Sequence, residues 1–167
     1  MKHHQRTEGI NDEWLTPPEI LAPLGRFTLD PCAAKGSKCA QINVTPDMMD
    51  GLKFTWTVDL EPPSKVRIWL NPPFNRYERP KWMRKMADHA NGIMLIPAAT
   101  ETKAFYDYVW SKADAVCFLK GRPHFHYVTG ERAKANCGCS IALVAYGESN
   151  ATCLESSLLG KTFRLKL

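Results

Sequence analysis

Short apolar runs alternate with amphipathic stretches along this chain, and most of the runs stop at a proline, a glycine or a charged residue. Residues 27–30, 66–70, 92–96, 115–119 and 141–146 read as buried strands, with 41–44 and 162–167 as weaker candidates. Between them, residues 80–91 place Trp82, Met83 and Met86 on one side of a helix that Asn91-Gly92 would stop. Residues 102–112 carry Phe105, Tyr108 and Val109 at helical spacing. Strands alternating with helices predict an α/β fold with a mostly parallel central sheet. No repeat, low-complexity tract or linker divides the 167 residues, so a single domain over 1–167 is expected, with the polar stretch 1–11 flexible.

Proline placement adds a functional hint. Asp30-Pro31, Asn71-Pro72 and Ile96-Pro97 each put a proline directly after an apolar run. In a parallel sheet such ends share one edge, where open α/β sheets bind their ligands. The most informative of them is Asn71-Pro72-Pro73-Phe74. Two consecutive prolines remove two backbone donors and fix φ, so the strand must stop at Asn71. What remains is a rigid loop that offers acceptors and an aromatic face. The Asn71 side-chain oxygen and the Pro72 carbonyl can accept both protons of an exocyclic NH2, while Phe74 can stack on the ring that carries it. A structural Pro-Pro turn is the plainer alternative. Asp30 adds a carboxylate able to pair with a cationic amino group, followed by small residues that let a ligand approach the backbone; an ordinary Asp-Pro turn would look the same.

Composition narrows the class without deciding it. A hydrophobic fraction of 44% with 23% charged residues is that of a soluble globular domain, and no apolar run approaches the ~18 residues of a membrane helix. The N-terminus lacks the apolar centre of a signal peptide, so a cytoplasmic setting is expected. The formal charge of +5 suits a polyanionic partner. Arg76, Arg79, Lys81, Arg84 and Lys85 gather just after the Pro-Pro loop, either as a solvated helix face or as phosphate contacts. Arg122 follows the 115–119 strand and could reach a phosphate or a base edge, or pair with a carboxylate inside the fold. The six cysteines form no Cys-x-x-Cys pair, and Cys137-Gly138-Cys139 is too tight for usual metal ligation, so free thiols and no metal are expected. Glu101 and Thr102 follow Pro97 and could line a pocket or simply begin a helix. The polar, glycine-containing stretch 127–139 reads as a mobile lid or DNA-contact loop.

Several of these segments, taken together and in order, resemble the phage-type DNA N6-adenine methyltransferase (Dam) family from about Asp12 to Tyr146. The likeness rests on Trp14-x-Thr16-Pro17, Leu29-Asp30-Pro31-Cys32-Ala33, Asp50-Gly51-Leu52 with Trp56, Trp69-Leu70-Asn71-Pro72-Pro73-Phe74, Leu95-Ile96-Pro97-Ala98 and Leu119-Lys120-Gly121-Arg122-x-x-Phe125. It implies a Rossmann-like methyltransferase fold, S-adenosylmethionine as methyl donor and adenine in DNA as acceptor, in the cytoplasm of a bacterial host. By the same resemblance Asp30, with Pro31 and Cys32, would sit by the donor's amino group. Trp14, Thr16 and Pro17 would close over the donor. Asp50, or the nearby Asp47, would hold its ribose or adenine. Asn71, Pro72, Pro73 and Phe74 would hold the target base, and Arg76, Arg79, Arg84 and Arg122 would contact DNA.

The chain departs from the wider adenine methyltransferase pattern in places. Its first motif has only Gly36 where Gly-x-Gly is usual, and the tetrapeptide begins with Asn and ends with Phe where Asp and Tyr are more common. The length leaves no room for a separate target-recognition domain. Other NH2 acceptors fit the same tetrapeptide, namely cytosine N4, an RNA base or a glutamine amide, and an inactive nucleic-acid-binding relic would keep the fold alone.

Overall fold

The computed structural model describes residues 14–59 and 61–166; the stretch 1–11, expected to be flexible, lies outside the described residues. A seven-stranded sheet runs through the molecule in the order β2-β1-β3-β4-β6-β5-β7. The strands are β1 (Leu29–Asp30), β2 (Ile42–Asn43), β3 (Ile68–Leu70), β4 (Gly92–Pro97), β5 (Ala115–Leu119), β6 (Ile141–Tyr146) and β7 (Gly160–Arg164). Every residue of β3, β4 and β6 is buried, as apolar runs covered on both faces require.

The sheet is mixed, not mostly parallel. Pairs β1–β2, β1–β3 and β3–β4 are parallel. Pairs β4–β6, β5–β6 and β5–β7 are antiparallel and carry the longer ladders. The reason lies in residues 120–140. They return along the edge where β5 has just ended, so β6 enters at that edge and runs back between β4 and β5. The same return lays this segment across the ends of β1 and β3.

Helix α2 (Arg79–His89) packs on one face of the sheet. It forms because Trp82, Met83, Met86 and Ala87 make a buried stripe, Pro80 is compatible with its first turn, and Ala90 closes it in the left-handed region. With Ile68, Leu70, Met94 and Val144 from the sheet, this stripe makes the first core. On the opposite face Trp69, Ile93, Leu95 and Leu143 pack against Ile20 of the short α1 (Pro18–Leu21) and against Ala151 and Leu154 of α4 (Glu148–Ser156). Alternation along β3 therefore sends Ile68 and Leu70 to one core and Trp69 to the other.

Two helical details depart from the periodicity. The stretch expected as one helix over 102–112 is a single turn, α3 (Lys103–Phe105), continued by a π turn over Tyr106–Trp110. There Trp110 packs on Phe105 at 5.1 Å and donates from its indole to the Thr100 carbonyl at 3.2 Å, while the Ser111 amide reaches Tyr106. Helix α4 has no counterpart in the sequence reading. It is held by buried Asn150, which accepts from Arg67 at 2.6 Å and donates to Asn91 and to the Tyr146 carbonyl. Among the described residues no helix is long and apolar enough to cross a membrane.

Candidate functional site

The parallel pairing of β1 with β3 brings their carboxyl ends side by side, because Leu29 is in register with Ile68. Asp30 and Asn71 follow, and both line a cavity of about 560 Å³ on the Trp69 face of the sheet. Its walls include Trp14 and Thr16; Asp30, Cys32, Ala33 and Ala34; Asn71-Pro72-Pro73-Phe74; and the returning segment, with Phe125, Tyr127 and Asn136. A volume of this order falls in the range of small-molecule and cofactor sites.

In this wall Asp30 is only 3% exposed. Burial raises its carboxyl to about 7, against the pull of hydrogen bonds from the Cys32 amide (3.0 Å) and Ser37. A buried carboxyl so poorly compensated is a place for a cation. Burial also pushes the Cys32 thiol up, with Asp30 and Asp50 adding to the effect, and raises Cys39 to about 11. These thiols stay protonated and serve as packing groups.

Asn71 lines the same cavity from the end of β3. Its Nδ2 donates to Thr16 Oγ1 at 3.4 Å, which leaves Oδ1 as the free acceptor. Among the described residues neither Asn71 Oδ1 nor the Pro72 carbonyl accepts a hydrogen bond. Two acceptors therefore remain to be satisfied by whatever fills the cavity. Phe74 meets Phe125 edge-on, with ring centroids 6.1 Å apart, and Trp14 lies against Tyr127 at 5.1 Å. Reciprocal backbone bonds between Leu15 and His126, at 2.9 and 3.0 Å, tie the N-terminal segment to the returning one. The loop behind the tetrapeptide is fixed as well, since Arg79 donates to the Phe74 carbonyl at 3.2 Å.

A family model described as DNA N-6-adenine-methyltransferase (Dam) matches residues 3–157. The chain belongs to the Dam family. Membership implies DNA as substrate and methylation of adenine at N6. A search of the curated proteins and of the solved structures finds no match to this chain.

Within this Dam-family chain the expected site residues divide into two groups. Trp14, Thr16, Asp30, Cys32, Asn71, Pro72, Pro73 and Phe74 share the cavity wall. Pro17, Pro31, Asp50 and the four arginines stand outside it. Pro17 starts α1, its carbonyl accepting the Ile20 amide. Pro31 is buried against Gly51, where an added Cβ would lie 1.9 Å from the Pro31 carbonyl oxygen; this contact explains glycine there and holds the Asp30 loop from behind. Asp50 is exposed, accepts the Leu52 amide at 3.0 Å and pairs with Lys53 at 3.3 Å, so its carboxyl is held below its ordinary value by the backbone bond first and the lysine second. Asp47 does not line the cavity either, although Pro46 does.

Arg84 is exposed and pairs with Asp88 along α2 at 3.7 Å, and Lys85 is tied to the Leu52 and Phe54 carbonyls. Arg79 reaches the cavity loop through the Phe74 carbonyl, Arg122 is exposed, and neither lines the cavity. Thr102 caps α3 by accepting from the Phe105 amide, so the helix-start reading holds for it, and neither Glu101 nor Thr102 lines the cavity. No group of three or more metal-ligating side chains occurs among the described residues.

Wall residues that the motifs passed over include Ser37, Cys39, Tyr127 and Asn136. Phe125 and Tyr127 alternate across one residue, and this period-two aromatic spacing is the signal that could have marked the returning segment as wall.

Proposed function

We propose that this chain transfers a methyl group from S-adenosylmethionine to N6 of an adenine flipped out of DNA, in a Rossmann-like methyltransferase fold. Directions along the sheet support the fold reading. β1 to β4 run one way, and β5 joins them because it is antiparallel to β6, which is itself antiparallel to β4. Ligands in such sheets sit beyond the carboxyl ends of the co-directional strands.

The observation that carries the functional reading is one cavity with two kinds of chemistry in its wall: a buried carboxyl at Asp30 whose burial outweighs its hydrogen bonds, and two unpaired acceptors beside an aromatic ring at Asn71, Pro72 and Phe74. Asp30 fits the ammonium of the donor's methionine part, and Ala33 and Ala34 leave room against the backbone. When bound, the donor would supply an electrophilic sulfonium methyl, with its sulfur as the leaving group that keeps the electron pair of the C–S bond. Asn71 Oδ1 and the Pro72 carbonyl hold the two N6 protons, which aims the nitrogen lone pair at that methyl carbon. Both acceptors also oppose the positive charge that grows on N6, a preorganised electrostatic effect. Since Asn71 cannot take a proton, the extra N6 proton leaves to solvent after transfer. Phe74 stacks on the base and offsets part of the few kcal/mol that flipping costs.

The deciding experiment incubates the protein with labelled S-adenosylmethionine and unmethylated DNA, then identifies the modified nucleoside by mass spectrometry. N6-methyladenine is the expected product. Label on cytosine, on RNA only or on protein overturns the acceptor, and no label anywhere favours the relic.

DNA contacts outside the cavity are assigned to Arg76, Arg79, Arg84 and Arg122. Replacing Arg76, Arg79 and Arg84 by glutamine should flatten the salt dependence of DNA binding by about 0.9 log units for each phosphate that these side chains neutralise. Arg79→Gln should lower turnover as well, because Arg79 braces the Phe74 carbonyl. An unaltered salt slope returns these residues to the role of a solvated helix face.

A further inference from the structure

An adenine that leaves the duplex leaves a gap between its two stacked neighbours. Tyr77, three residues beyond Phe74, is the most exposed aromatic among the described residues at 68%. Nothing in the catalytic reading uses it. Yet it is presented by a fixed turn. Asn75 Oδ1 accepts from both the Tyr77 amide (3.1 Å) and the Glu78 amide (2.8 Å), and Arg79 anchors the Phe74 carbonyl on the near side. The Arg76 guanidinium lies 4.7 Å from the Tyr77 ring centroid and bonds its hydroxyl. A flat ring is thus held out toward solvent, backed by a cation, at the end of the loop that carries the base-holding residues.

We propose that Tyr77 enters the base stack of duplex DNA and occupies the place of the flipped adenine, with Arg76 on an adjacent phosphate. This rests on the reading of the cavity as a DNA adenine site. Proteins that kink or open a duplex insert apolar or aromatic side chains at base steps in this way. Other exposed apolar side chains serve the role less well. Trp14 and Tyr127 pack on each other in the cavity wall. Met48 and Met49 lie in the loop that carries Pro46 and are not part of the loop that carries the base-holding residues.

Tyr77 is therefore a positioning residue whose effect depends on the form of the DNA. Tyr77→Ala should slow methylation of paired adenine by about 5- to 150-fold, the span expected for one base–aromatic stack, and leave adenine in single strands within about twofold. Tyr77→Phe should restore the duplex rate. With 2-aminopurine at the target position, the fluorescence rise on binding should be lost in Tyr77→Ala and kept in Tyr77→Phe, independently of catalysis. An equal loss on duplex and single strand, or no loss on either, overturns the role of Tyr77 while the methyltransferase reading stands. If the wild-type protein methylates adenine in neither form, the cavity reading fails and Tyr77 falls with it.

Discussion

Asn71→Ala should lower kcat by about 10²- to 10³-fold, in line with the loss of one preorganised acceptor aimed at developing charge, while donor binding stays near that of the wild type. The reason is the division of tasks between two side chains. The donor's amino group is assigned to Asp30 at the end of β1 and the base to Asn71 after β3, so donor binding does not depend on the amide. In the ground state the N6 amino group is neutral and gains little from Oδ1. As the methyl arrives N6 becomes positive, and the same oxygen gains a charge-assisted contact, so the loss falls on the transition state. Asn71→Asp keeps an oxygen there and replaces Nδ2 by a second acceptor. The Thr16 hydroxyl can turn to donate to it, so much of the rate should survive. Phe74→Ala should instead raise KM for DNA as well as lower kcat, because stacking acts on the captured base before transfer begins. Single-turnover rates with calorimetric donor affinities separate these cases. Near-wild-type turnover in Asn71→Ala removes the amide from the mechanism.

How much of this site could be read in the sequence depends on how local the determining physics is. The strands at Ala115–Leu119 and Ile141–Tyr146 appear where their apolar runs predict them, because the boundaries are set by the residues themselves. The meeting of Asp30 with Asn71 was legible too, since it needs only that two buried strands pair in parallel and both stop at proline. Strand direction is different. β6 is as apolar as any parallel strand, and only the route of residues 120–140 makes it run backwards. That non-local fact also decides the far wall of the cavity, so Tyr127 and Asn136 were visible as a polar loop and not as a lining. Asp50 shows a further limit. A motif marks a position in the chain, while the direction of its side chain follows from the turn it caps, and here the carboxylate turns to Leu52 and Lys53.

Asp30 gives the prediction with a defined pH signature. Its carboxyl titrates at about 7 in the folded protein because burial outweighs its hydrogen bonds. Against an ordinary value near 3.9, the sign is clear: the folded state binds the proton more tightly, so ionising Asp30 destabilises the empty site progressively as pH rises toward 7. A bound ammonium reverses this by favouring the carboxylate. Below pH 7 donor binding must therefore expel a proton, and affinity should fall by up to about tenfold per pH unit as the solution becomes more acid. On the alkaline side the donor's own amino group loses its proton near pH 8, so affinity should be greatest between about 7 and about 8. Asp30→Asn should weaken donor binding by about 10- to 150-fold at the optimum, the cost of a charge-assisted hydrogen bond of roughly 1.5–3 kcal/mol. It should also erase the acid limb, which a merely structural loss would not do. Calorimetric titration in buffers of different ionisation enthalpy reads both the affinity and the proton released. An affinity for the donor that is flat through pH 7 in the wild type, or unchanged in folded Asp30→Asn, takes Asp30 out of the donor site.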